Sequence, residues 1–137
     1  MGADASNHLV AGERPPWSPW DDEYASTSDR FIWGTRASNL ARAVTTLLGG
    51  PARVLDLGCG EGHDSVFLAE QGHDVIGLEL SLDGLRKAAR LAADQGVHVP
   101  WVCSAMPDVP VRGLFDLFLR FDSLCRRVSR LDHPQAR

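Results

Sequence analysis

An α/β fold with a parallel sheet is what the sequence predicts, on three observations. Short apolar runs alternate with amphipathic stretches of helical spacing, each such stretch ends on a glycine, and the first run enters the next helix through a turn rich in glycine. At 137 residues there is room for one domain and little beyond it. Pro15-Pro16-Trp17-Ser18-Pro19-Trp20 opens the legible part; proline blocks regular helix and strand, so residues 1–20 are expected to be an arm or wrapping segment, with tryptophans suited to docking. An acidic stretch, Asp21-Asp22-Glu23-Tyr24, and a polar turn lead to Phe31-Ile32-Trp33-Gly34. Ala37, Leu40, Ala41, Val44, Leu47 and Leu48 then share a helical face, and Gly49-Gly50-Pro51 stops that helix. A buried strand is predicted over 53–57, a helix over about 63–71, a second strand over 74–79 and a helix over about 82–95 with Ser81 as N-cap and Gly96 as stop. Strands around 98–102 and 115–119 complete the pattern, the second after a loop holding Pro107 and Pro110.

Composition narrows the class. With 44% hydrophobic and 23% charged residues the chain is too apolar for disorder and too interrupted for a membrane span. Residues 1–13 carry Asp4 and Glu13 and no continuous apolar run, so a secretory leader is not expected and a cytoplasmic location is the default. The opening Met1-Gly2-Ala3-Asp4-Ala5-Ser6 meets the myristoylation pattern, which so short a string meets by chance. Cys59, Cys103 and Cys125 form no C-x-x-C pair, and the acids are scattered, so neither a disulfide framework nor a metal site is expected. The net charge of -4 hides an asymmetry: residues 1–111 carry -7 and residues 112–137 carry +3. The basic tail is the part that could meet nucleic acid, but the acidic body opposes it and no aromatic platform is interleaved with the tail's arginines, which argues against nucleic acid as a partner.

The chemistry concentrates in Asp56-Leu57-Gly58-Cys59-Gly60-Glu61-Gly62, between a strand and a helix, with Glu79 at the end of the next strand. Glycines let the backbone turn sharply and a ligand approach, and the amides and dipole of the following helix favour an anionic group. An acid at the second strand tip is placed to accept from both hydroxyls of a ribose. Together these describe a nucleoside-containing cofactor across the strand tips. The spacing runs G-x-G-x-G, and His63 stands where a G-x-G-x-x-G dinucleotide fingerprint needs its third glycine, which argues against NAD. Cys59 reads as a small filler rather than a nucleophile, and His63 either lines the site or faces water.

The segment Val54-Leu55-Asp56-Leu57-Gly58-Cys59-Gly60-Glu61-Gly62 resembles motif I of class I S-adenosylmethionine-dependent methyltransferases. Asp74-Val75-Ile76-Gly77-Leu78-Glu79-Leu80-Ser81 resembles the second strand of that family, and Phe115-Asp116-Leu117-Phe118-Leu119 its fourth. Asp21-Asp22-Glu23-Tyr24-Ala25 and Ile32-Trp33-Gly34 are similar to the segment that closes over the cofactor in small-molecule members of the tellurite-resistance type. The resemblance implies a Rossmann-like doubly wound parallel sheet, the N-terminal half of a seven-stranded fold, within residues 21–122. It implies S-adenosyl-L-methionine as cofactor, with Asp56 supporting the turn, the amides of Gly58, Gly60 and Gly62 lining the methionine part with Cys59 between them, Glu79 on the ribose and Leu80 beside the adenine. Tyr24 and Trp33 fall in the covering segment, although both also suit ordinary packing. Family members often place an acid after the third strand to meet the adenine; Trp101-Val102-Cys103-Ser104-Ala105-Met106 has none, which leaves Ser104, Ala105 or the backbone. The implied acceptor is a small molecule, methylated by direct displacement, and no catalytic residue is assigned.

Length is the main departure. Completing seven strands from Arg53 would take on the order of 150 residues at the usual size of a βαβ unit, and 81 follow Asp56. The basic segment 123–137 reads like no element of the fold and suggests either a frame-shifted end or a cut at a boundary. The fourth strand would then be an apolar edge open to pairing with a second copy. A non-catalytic binding module, and a degraded product that does not fold stably, therefore stand beside the methyltransferase reading.

Overall fold

A computed structural model describes residues 9–11, 19–27, 30–104 and 111–120, with 9–11 and 19–21 described by backbone alone. The elements run β1 (Leu9–Ala11), α1 (Pro19–Ala25), α2 (Asn39–Leu48), β2 (Arg53–Leu57), α3 (His63–Glu70), β3 (Asp74–Glu79), α4 (Leu82–Gln95), β4 (Trp101–Cys103) and β5 (Leu117–Arg120). The strands form one sheet in the order β1-β4-β3-β2-β5, every neighbouring pair parallel. The chain steps outward from β2 through β3 to β4, then crosses to the other side of β2 for β5, so strand order reverses at β2. In open parallel sheets the crevice at such a reversal, outside the carboxyl ends of the strands, is where ligands bind.

Alternation along the strands builds two cores. Val54, Val75, Trp101, Cys103, Leu117 and Leu119 pack with Ala41 and Val44 of α2, Val66 and Leu68 of α3, and Leu85, Ala88, Leu91 and Ala92 of α4. Leu55, Leu78, Val102 and Phe118 face the other way, against Val111 and Phe115. Strands buried on both faces read as continuous apolar runs, which is why 53–57 and 74–79 were legible at their observed bounds.

Other bounds moved for local reasons. Pro19 was expected to exclude helix, yet it opens α1, because the first helical position needs no amide hydrogen and suits the ring's fixed φ. The arm also contributes β1, which pairs Leu9, Val10 and Ala11 with Trp101, Val102 and Cys103. Helix α2 starts after Ser38, whose hydroxyl accepts from Ala41 N at 3.1 Å, rather than at Ala37. Strand β4 begins after Pro100 instead of at His98, since proline has no donor for a ladder. Ser81 caps α4 as predicted, accepting from Gly84 N at 3.3 Å, and Gly49 and Gly96 close their helices in the left-handed region. Among the described residues β5 pairs with β2 alone, and no helix is long and apolar enough to cross a membrane.

Candidate functional site

The glycine turn leaves the carboxyl end of β2 beside that of β3. Gly58, Gly60 and Gly62 all have positive φ, at 70°, 57° and 84°, and each meets a different surrounding. A Cβ on Gly58 would meet nothing within 4 Å; one on Gly60 would fall 2.8 Å from the Tyr24 hydroxyl; one on Gly62 would lie 2.6 Å from Ala88 Cβ and 2.8 Å from the Trp101 ring. Only Gly58 is therefore open on its Cα side, while Gly60 receives a covering side chain and Gly62 makes room for the core. The amide protons of the turn have partners within the protein. Gly58 N and Cys59 N donate to the Leu78 carbonyl (2.7 and 3.0 Å) and Gly60 N to Glu79 Oε2 (2.9 Å), which holds the turn against β3, while Gly62 N closes the turn on the Cys59 carbonyl (2.9 Å).

Carboxylates gather under this turn. Asp56 is buried, its Oδ2 accepts from Ser65 Oγ at 2.6 Å, and its pKa is pushed up to about 7, chiefly by burial and further by Asp64 and Glu79. Glu79 Oε1 accepts from Leu80 N and Ser81 N (2.9 and 3.0 Å) and Oε2 from Gly60 N. Three of roughly four lone-pair positions are thus filled, and one remains on Oε2. Burial, with Asp56 and Glu79 nearby, raises the Cys59 thiol well above its ordinary pKa, so it is a packed filler and no thiolate. Ser104, buried at the tip of β4, donates its amide to the Glu79 carbonyl at 3.1 Å; Ala105 lies outside the described residues.

A strap formed by the described residues between Asp22 and Gly34 covers the turn. Tyr24 is buried with its ring against Gly84 and its hydroxyl over Gly60. The half-exposed Trp33 hydrogen-bonds that hydroxyl, and burial together with Glu79 raises the phenol's pKa, so it stays neutral. Two residues that sequence reasoning passed over hold the strap: Glu61, which accepts from Ile32 N and Trp33 N at 3.0 Å each, and Lys87, whose Nζ lies 3.0 Å from Glu61 Oε2. A signal was available. Lys87 sits in the stripe Gly84, Ala88, Leu91 of α4, where a lysine at helical spacing among small and apolar residues is out of place. Asp64, in the first turn of α3, also reaches across to Ser38, accepting from its amide (2.6 Å) and hydroxyl (2.7 Å). His63 is buried, not facing water.

The family profile for the methyltransferase domain matches residues 54–136, more than half of the chain. The chain belongs to that family. The tRNA 5-carboxymethoxyuridine methyltransferase of Escherichia coli K12 is 36% identical over 64% of this chain and 38% of its own length. A Pyrococcus abyssi tRNA (uracil-54, C5)-methyltransferase, solved with S-adenosyl-L-homocysteine, is 30% identical with a TM-score of 0.51, over 58% of this chain and 20% of that one. A structure solved for the conversion of a disulfide bond into a thioacetal group during echinomycin biosynthesis has a TM-score of 0.64 at 27% identity, over 74% of this chain and 44% of that one. This methyltransferase domain spans 38% of the length of the first curated relatives that it matches.

The family match and the bound S-adenosyl-L-homocysteine of the Pyrococcus neighbour support S-adenosyl-L-methionine as the cofactor. Residues of this domain fit such a group: Gly58 leaves a Cβ-free surface beside the strand tips, and Glu79 keeps one acceptor position next to it.

Proposed function

We propose that this chain is the cofactor-binding part of an S-adenosyl-L-methionine-dependent methyltransferase acting on a small-molecule acceptor. The observation that carries it is the open face of Gly58 beside the buried, partly satisfied Glu79. In this reading Gly58 admits the methionine part, Glu79 Oε2 accepts from a ribose hydroxyl, Leu80 packs beside the adenine, and Ser104 flanks it. Cys59, Gly60 and Gly62 shape the turn, Asp56 supports it from below, and Tyr24 and Trp33 close it from above. The bound cofactor supplies a methyl carbon on a sulfonium. The domain's own work is orientation: holding donor and acceptor in line is worth up to roughly 7–11 kcal/mol and needs no general base. A net charge of -4 and a covering strap support a small enclosed acceptor over a polyanion such as RNA.

Calorimetric titration with S-adenosyl-L-homocysteine tests the cofactor site. One site per chain is expected, with affinity weakened by about 1–3 kcal/mol in Glu79→Gln, the scale for a charged hydrogen-bond partner. Because Glu79 also holds three backbone amides, Gly58→Ala is the companion variant: it fills the open face and touches no protein atom, and the backbone strain it adds at φ 70° is controlled by its circular dichroism and melting. Unchanged affinity in both variants overturns the assignment. Transfer of labelled methyl groups to tRNA or rRNA in preference to small molecules overturns the acceptor class, and binding without transfer marks a non-catalytic module.

A further inference from the structure

Beside the glycine turn lies a buried charge pair to which the binding roles above assign nothing. Lys87 is 3% exposed and Glu61 not at all. Lys87 Nζ donates to Thr27 Oγ1 (2.8 Å), the Arg30 carbonyl (2.9 Å) and Glu61 Oε2 (3.0 Å), which uses all three ammonium protons. It also lies 5.7 Å from the centre of the Tyr24 ring, and Glu61 takes the amides of Ile32 and Trp33. Apart from the bond between the two side chains, each of these contacts reaches the strap. Residues 30–38 belong to no helix or strand, so the backbone groups of Arg30, Ile32 and Trp33 have no ladder to satisfy them, and this pair does so instead. A pair serving the core alone would be matched by apolar side chains of similar volume; this one is suited to fixing a polar backbone in one place.

We propose that Glu61 and Lys87 are a positioning pair: they set the strap, and through it Tyr24 and Trp33, over the glycine turn, so that cofactor affinity depends on two charges sealed from solvent. The dependence of affinity rests on the cofactor reading above; the placement of the strap does not. Two variants test it, Lys87→Met and the double apolar exchange Glu61→Leu/Lys87→Met, each read by circular dichroism, by tryptic cleavage after the exposed Arg30, and by titration with S-adenosyl-L-homocysteine. The double variant is expected to melt close to the wild type, since an apolar replacement of a buried pair is often neutral. It should nevertheless be cut about tenfold faster within the strap, because local opening sets proteolysis, and bind about tenfold more weakly, because an unplaced strap must be ordered on binding. Wild-type cleavage in a folded double variant overturns the proposal, and fast cleavage with unchanged affinity overturns the coupling to the cofactor. Loss of fold in both variants also overturns it, by making the pair a support of the core. Fast cleavage in the variants with no binding by the wild type upholds the placement role and overturns the cofactor reading instead.

Discussion

The two ends of the sheet treat charge differently. At the carboxyl ends of β2 and β3, Asp56, Glu61, Asp64, Glu79 and Lys87 are buried. At the amino ends, Arg53 and Asp74 meet at 3.6 Å with side chains 40% and 74% exposed, and the buried ionisable group among the described residues is His73. That histidine is kept neutral: its Nδ1 accepts from Ala52 N (3.1 Å), which leaves the Nε2 proton for Thr45 Oγ1 (2.7 Å), and burial lowers its pKa. Burying an ionisable group is costly wherever it is done, whether it stays charged or is held neutral. The molecule does it where a turn and a strap must be held in one geometry, and leaves its other rim to water.

The sharpest way to break this contrast uses two glycines of similar φ, Gly62 at +84° and Gly72 at +90°. Gly62→Ala adds a clash with Ala88 and Trp101 to the backbone strain and should cost about 2–4 kcal/mol in urea unfolding. Gly72→Ala has open space and should cost about 1–2 kcal/mol, from strain alone. Equal losses would show that the turn is no tighter than an ordinary loop.

Next in size is Asp56→Asn. The folded acid titrates near 7 against an ordinary 3.8, so its protonated form is favoured by folding. The stability it contributes is complete below the ordinary value and is lost as pH rises from about 4 to about 7. Asn, always neutral, should flatten that loss and stabilise the domain at pH 8 relative to wild type, by on the order of 2 kcal/mol. A variant that tracks the wild-type profile would mean that Asp56 is ionised without cost.

His73 works with the opposite sign. Its folded pKa is lowered, so its contribution is present above the ordinary value of 6.5 and lost as pH falls through the folded one. His73→Ala should cost about 1–2 kcal/mol at pH 8 by orphaning the Ala52 amide, and the deficit should shrink in acid. Asp74→Ala is expected to change stability least, by less than about 0.5 kcal/mol, because the exposed pair it breaks with Arg53 is screened by water. A larger loss there would erase the distinction between the two rims.

Much of this domain was legible because its signals are local. Glycines that need positive φ, serines that cap, and apolar runs with the right period are properties of a few consecutive residues, so β2, β3, α4 and the turn stood at their observed places. Glu79 was legible for the same reason, as the acid that ends an apolar strand. The sequence by itself thus determined the parallel α/β pattern, the turn that bears the candidate site and the family.

Only the tertiary structure decided what those residues touch. It turned the Gly58, Gly60 and Gly62 amides inward to carbonyl and carboxylate partners, gave each glycine its own reason, sent Asp64 to Ser38, and enlisted Leu9–Ala11 as a strand. It also joined Glu61 to Lys87, 26 positions along the chain, beneath a strap whose own sequence signals neither. Hydrogen bonds and charge pairs of that kind are selected by which groups burial leaves without water, and that is known only once the chain has closed on itself.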